Sequence, residues 1–132
     1  MDIIRRNSDY SLRLSLNLAQ KYRKEAVSAR TLSKQEKITY HLTCKLLQRL
    51  HRAGFVDSKM GPKGGYYLVR PPSEISLNSI IDAVQGPIRI NRCIFEKGIC
   101  HKQPDCPISR KLSELQHTIT FFLKNTTLSE LC

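Results

Sequence analysis

Leu12, Leu14, Leu16 and Leu18 alternate with Arg13, Ser15 and Asn17, the period-two pattern of a half-buried strand. The same stretch also fits helical spacing. Tyr10, Leu14 and Leu18 recur at i, i+4 and i+8, with Leu12, Leu16 and Ala19 on a neighbouring stripe. No Gly, Pro or turn signal interrupts residues 7–23, so the segment predicts a helix from Asn7 to about Arg23 with Asn7 or Ser8 as its cap. A second helix is predicted over Ser28–Glu36 and a third from Thr39 to about Ala53, closed by Gly54, with only Lys37 and Ile38 between them. That short separation is what a helix-turn-helix requires. In the third helix Leu42, Leu46 and Leu50, with Leu47 and Ala53 beside them, form the expected buried stripe. Tyr40, His41, Lys45, Arg49 and Arg52 then project outward.

Beyond Gly54 the pattern becomes extended. Residues 55–59 and 66–69 read as two short strands around the Gly-rich tip Met60-Gly61-Pro62-Lys63-Gly64-Gly65, a hairpin that serves as a wing directly after a recognition helix. Near the C-terminus Ile108, Leu112, Leu115, Ile119, Phe122 and Leu123 recur at helical spacing. The fold class expected is mainly α with a small β wing: a winged helix-turn-helix over residues 1–85, a cysteine-bearing loop over 86–107, and a long helix with its tail over 108–132.

Charge sharpens this picture. The chain has 132 residues and a formal net charge of +11. Residues 1–70 carry 15 Lys+Arg against 5 Asp+Glu, whereas residues 71–132 carry 7 against 6. An excess confined to one half points to a polyanion partner, and with the helix, turn, helix and wing in order that partner is double-stranded DNA. Thr39, Tyr40, His41, Lys45 and Arg49 of the third helix, with Lys59, Lys63 and Gly64 of the wing, are the candidate DNA-binding residues. No Ser/His/Asp or Cys/His arrangement or carboxylate pair is recognisable. Gly61-Pro62-Lys63-Gly64-Gly65 lies between strands rather than opening a helix as a phosphate-binding loop does, so an enzyme with a small-molecule substrate is not expected. No apolar run approaches the roughly 20 residues needed to span a bilayer, and Met1 opens onto Asp2 and Arg5, so no membrane partner and a cytoplasmic location are expected.

Five cysteines are present, and three of them, Cys93, Cys100 and Cys106, fall close together among Gly98, Pro104 and Pro107. An odd count clustered in a loop argues against a secreted disulfide framework. Soft thiolates suit iron-sulfur clusters and zinc, but structural zinc sites bring paired ligands two to four residues apart, a spacing absent here. Arg92, Lys97 and Lys102 would stabilise thiolates. Iron-sulfur binding leads, with zinc and a cluster-free thiol switch left open. Cys44 reads as a small packing residue of the third helix and Cys132 as a disordered terminal residue.

Several stretches together resemble the Rrf2 family of winged-helix transcription regulators, the family of IscR and NsrR. They are Ser8-Asp9-Tyr10-Ser11-Leu12-Arg13, Lys45-Leu46-Leu47 through Leu50 and Ala53-Gly54, and Gly61-Pro62-Lys63-Gly64-Gly65-Tyr66. Later come Ile75-Ser76-Leu77 through Ile80-Ile81-Asp82-Ala83, then Asp105-Cys106-Pro107, and the closing Thr127-Leu128-Ser129-Glu130-Leu131. The wing and the cysteine loop carry the most specific part of the likeness. The resemblance implies a homodimer packed through the long C-terminal helix, reading two half-sites of a pseudo-palindrome. It also implies one iron-sulfur cluster per subunit, held by Cys93, Cys100 and Cys106. In the 2Fe-2S members a His three residues after the last Cys can complete the set, but that position is Ser109 here, and His101 lies inside the loop. The other family solution is an acidic residue at the start of the partner subunit's first helix, which Asp9 matches, and which suggests a 4Fe-4S cluster in preference to 2Fe-2S. Asp9 can equally serve the positive end of its own helix.

Two departures stand out. Met60 occupies the position where family members that read a base from the wing carry Arg, so that contact is lost or passes to Lys63, and Thr43 stands where the family usually has an aliphatic residue. The function expected is a regulator, of the repressor kind, whose operator affinity an iron-sulfur cluster controls in response to nitric oxide, redox state or iron. The alternatives are a thiol- or partner-controlled regulator without a cluster, and an iron-sulfur carrier.

Overall fold

In the computed structural model, which describes residues 2–91 and 105–132, the alternating leucines form a helix, α1, over Arg6–Gln20. Leu14 and Leu18 are fully buried, while Leu12 and Leu16 are half-buried. The helix stops three residues earlier than its apolar pattern suggests, because Lys21–Lys24 form a turn in which Arg23 adopts a left-handed φ of 60°. Neither Asn7 nor Ser8 caps it. Arg5 holds the N-cap position without a side-chain bond, and its N–H is met from a distant helix by Gln85 Oε1 at 2.9 Å.

α2 spans Ala29–Glu36 with Ser28 as its cap, the hydroxyl accepting from the Thr31 N–H. Lys37 then turns left-handed with φ 57°, Ile38 drops into the core, and α3 runs Tyr40–Arg52 behind the Thr39 cap. Leu46, Leu47 and Leu50 are buried as the stripe requires, whereas Leu42 is only half-buried. Thr43 takes the fully buried place beside them, and its hydroxyl donates to the Thr39 carbonyl at 2.9 Å, so the polar group enters the core already partnered. The far end of α3 is closed by Arg70, which stacks over Phe55 at 4.7 Å and donates to the carbonyls of Ala53 and Gly54.

β1 (Val56–Lys59) and β2 (Gly65–Leu68) pair antiparallel in the register Val56 with Leu68 and Lys59 with Gly65. The hairpin is extended by the linker between α1 and α2: Val27 and Tyr66 exchange both backbone hydrogen bonds, at 2.9 and 2.7 Å. Gly65 is required at that join. Its φ is +142°, and a Cβ there would lie 2.4 Å from the Val27 backbone.

α4 (Leu77–Gln85), capped by Ser76, packs Ile80 into the same core and contacts α1 and α3. α5 (Pro107–Lys124) follows the undescribed stretch. The chain then returns to the winged-helix body: Ser76 bridges to Thr127, the Leu128 N–H donates to the Ile75 carbonyl, and Leu128 is fully buried in the main core with Leu14, Leu32 and Leu46. The tail is therefore part of the first core. Cys132, expected to be disordered, is described and exposed, its thiol donating to the Leu128 carbonyl at 3.3 Å. The short turn Leu128–Glu130, fixed by a Thr127–Glu130 capping box, holds it in place.

Candidate nucleic-acid interface

With Leu46, Leu47 and Leu50 facing inward, the opposite side of α3 presents Tyr40, His41, Lys45, Gln48, Arg49 and Arg52 to solvent. Thr39 sits exposed at the cap, and its hydroxyl accepts from the Leu42 N–H, so it is partly committed to the helix. Arg49 is also engaged within the molecule, Nη1 donating to the Val84 carbonyl of α4 at 3.3 Å. Lys59 ends β1, with its ammonium 5.9 Å from the Tyr67 ring, and Lys63 is exposed at the tip. Gly64 serves the turn: its N–H donates to the Gly61 carbonyl at 2.9 Å, and a Cβ there would stand 2.3 Å from the Lys59 carbonyl.

Sequence reasoning missed Arg30. It reaches from α2 across the start of α3, its guanidinium 4.7 Å above the Tyr40 ring. Tyr40 is exposed, and the side-chain hydrogen bond with Cys44 holds its hydroxyl above the usual tyrosine range, while the Arg30 charge works the other way. The phenol is therefore neutral at physiological pH, and it can donate to a phosphate or base edge by giving up its Cys44 contact. No spacing rule connects Arg30 to Tyr40, because the contact is made across the helix-turn-helix.

The last turn of α4 is a junction. Val84 receives Arg49 from α3, while the Gln85 amide accepts from the Arg5 N–H and the Ser8 hydroxyl and donates to the Ile3 carbonyl. A second amide, that of buried Gln116 on α5, accepts from the Ile90 N–H and donates to the Ile88 carbonyl. The two glutamines thus anchor the chain on either side of Gly86 and Pro87, at the start of the cysteine-bearing segment.

Of the candidate metal ligands, Cys93 and Cys100 lie outside the described residues. Cys106 is described: it is a free, half-buried thiol at the N-cap position of α5. Asp9 lies in the first turn of α1, 59% exposed at its side chain and 3.9 Å from Arg13, which is itself 3.6 Å from Glu36. Asp9 lines a surface depression with Asp2, Ile4, Arg6, Tyr10 and Leu12. Among the described residues no three His, Cys, Asp or Glu side chains converge on one point, since only one of the clustered cysteines is among them. Also among those residues, no helix is long and apolar enough to cross a membrane.

The model of the Rrf2 family, described as an iron-dependent transcriptional regulator, matches residues 4–132. The HTH-type transcriptional regulator IscR of Serratia proteamaculans is 31% identical over 122 residues, covering 92% of this chain and 74% of that protein. Among solved structures, CymR, the global cysteine regulator of B. subtilis, superposes with a TM-score of 0.83 at 26% identity, covering 99% of this chain and 96% of that one. The oxidized form of Staphylococcus aureus CymR gives 0.79 at 28% identity, covering 99% and 95%.

Proposed function

The chain belongs to the Rrf2 family of transcriptional regulators, and from that premise we propose that it is a homodimeric repressor whose hold on its operator is set by an iron-sulfur cluster. The DNA-binding part rests on one observation above the rest. Tyr40, His41, Lys45 and Arg49 form the exposed face of α3, and Lys59 and Lys63 stand on the adjoining wing. In this reading α3 enters the major groove while the wing meets the backbone and minor groove. Thr39 and Gly64 shape the ends of these two elements. Homologues and structural neighbours are regulators rather than enzymes, in keeping with the absence of any small-molecule substrate from this reading.

The dimer reading is supported by α5. Ile108, Leu115, Phe121 and Phe122 are all exposed on it, a concentration of apolar surface that a partner's α5 would cover. Two half-sites of a pseudo-palindrome follow from the two-fold symmetry.

For the cluster, the donor set suits an iron-sulfur group: three thiolates, Cys93, Cys100 and Cys106, and a carboxylate, Asp9, offered by the partner subunit's α1. An accessible Asp9 in a surface depression is compatible with a ligand supplied across a dimer. When bound, a 4Fe-4S group with one carboxylate-held iron supplies a centre open to nitric oxide, oxygen and iron loss. The protein's own contribution is the connection to DNA. Gln116 fixes the segment entering the loop, Gln85 ties the start of α1 to α4, and the Val84 carbonyl holds Arg49 of α3. Displacing the last turn of α4 therefore moves a groove-facing arginine. The protein acts in the cytoplasm, where thiolates stay reduced.

The test is duplex binding by anaerobically purified protein across a salt series, with bound iron measured on the same sample. A steep fall of log K with log salt, with a slope of about −0.9 per phosphate contacted, is expected. Holo protein should bind its operator more tightly than protein stripped of iron. Equal affinity of the two forms would remove cluster control. No salt-dependent duplex binding would favour an iron-sulfur carrier. A second reading, a regulator governed by thiol chemistry or by a protein partner, is favoured by the close superposition on a cysteine regulator, and DNA binding by an iron-free dimer would select it.

A further inference from the structure

We propose that the wing tip is an apolar wedge: Met60 presses between base steps in the minor groove and sets sequence preference through how readily those steps unstack. This rests on the DNA-binding reading above and adds to it a residue and a mode of readout.

Met60 is 98% exposed, the most exposed large apolar side chain among the described residues. A single exposed apolar side chain is ordinary on a protein surface. Its location is what distinguishes it. Met60 immediately follows β1 at the end of the wing, between Lys59 and Lys63, with Gly61 and Pro62 beside it and all of them exposed. The turn beneath it is closed by the Gly64 to Gly61 hydrogen bond at 2.9 Å, and Pro62 fixes one backbone angle within it. The close seating of Gly64 against the Lys59 carbonyl, and of Gly65 against Val27, joins the tip to both strands and to the linker ahead of α2. The hairpin thus presents an unbranched thioether from a preorganised base and leaves it almost wholly in solvent.

A methionine has nothing to offer the hydrogen-bonding edges of the minor groove, unlike an arginine, which favours the narrow, strongly negative groove of A-tracts. What it can gain is contact with base faces, and that requires a partly opened step. Methionine belongs to the set of side chains that act as wedges in this way, kinking the duplex by roughly 20° or more. Lys59 and Lys63 flank it with ammonium groups that can take phosphates on either side. Pyrimidine–purine steps unstack most easily, so a Met60 wedge selects TA or CA/TG under the wing.

The experiment uses the full chain purified without oxygen, duplexes that it recovers from a random-sequence pool, and those duplexes end-labelled for energy transfer to report bending. Met60→Ala should weaken binding on the order of tenfold, straighten the bound duplex and lose the step preference. It should leave the salt slope unchanged, whereas Lys63→Ala should reduce that slope by about one. Met60→Leu should retain bend and preference, and Met60→Arg should shift the recovered sequences towards A-tracts. Circular dichroism should match the wild type for every variant, since the tip contributes nothing to the core. Wild-type affinity, bend and recovered sequences in Met60→Ala would overturn the wedge alone. Failure of the wild-type protein to bind any duplex would overturn the regulator reading and this inference with it.

Discussion

Residues 6–85 and the helix α5 deal with their apolar surface in opposite ways. In the first region every helix sends side chains into one cluster, in which Leu14, Leu32, Leu46, Leu50, Ile75 and Ile80 are sealed, and residues of the tail complete it with Leu128. In α5 only Gln116 and Leu123 are buried, while Ile108, Phe121 and Phe122 are between 66% and 70% exposed. The two regions have similar amphipathic patterns, so pattern alone does not tell a satisfied face from an unsatisfied one. The core of the winged-helix body is completed by residues of this chain, whereas α5 has apolar surface to spare.

The contrast can be broken at several points. Charging the α5 face with Phe121→Glu and Phe122→Glu should have the largest effect, giving a monomer by sedimentation with its helical content kept, since burying two carboxylates in the proposed dimer seam is costly. Retention of the dimer would place the interface elsewhere. Leu46→Ala should do the reverse, costing about 2–5 kcal/mol in chemical denaturation because it opens a cavity in the sealed core. Its effect should persist in the monomeric background. Gln116→Leu should cost about 1–3 kcal/mol, because the Ile88 carbonyl and the Ile90 N–H lose the side chain that satisfies them. An unchanged melting temperature would mean that water replaces the amide without loss. The smallest effect, and the only one of opposite sign, is expected for Ser15→Ala. The buried Ser15 hydroxyl has no hydrogen-bond partner among the described residues, so its removal should be neutral or stabilising by up to about 1 kcal/mol, read as a small rise in melting temperature.

Much of the fold was legible because its signals are local. Ser28 caps α2, Gly54 ends α3 with a φ of +84°, and the Gly-Pro-Lys-Gly-Gly run forms the wing tip. The outward set on α3 followed from where its leucines lie. The residues that escaped notice act at long range. Gln85 meets partners 77 to 82 residues away, Gln116 reaches back 26 and 28 residues, and Arg30 joins the α3 face only because two helices cross. Ser8, Ser11 and Ser15 are buried on α1, and nothing local marks them for it, because their burial depends on how closely another helix approaches.

Caps, glycines, periodicity and thiol softness operate within a few residues, so the set of elements, the charge polarity of the two halves and the chemical character of Cys93, Cys100 and Cys106 are read from the chain alone. The long-range ties come only with folding: the Gln85 and Gln116 anchors, the Val27–Tyr66 extension of the wing and the return of Leu128 to the core. Each of these pairs a buried donor or an apolar side chain with a partner remote in the chain. Burial makes such pairing obligatory, yet it leaves no periodic trace in the sequence.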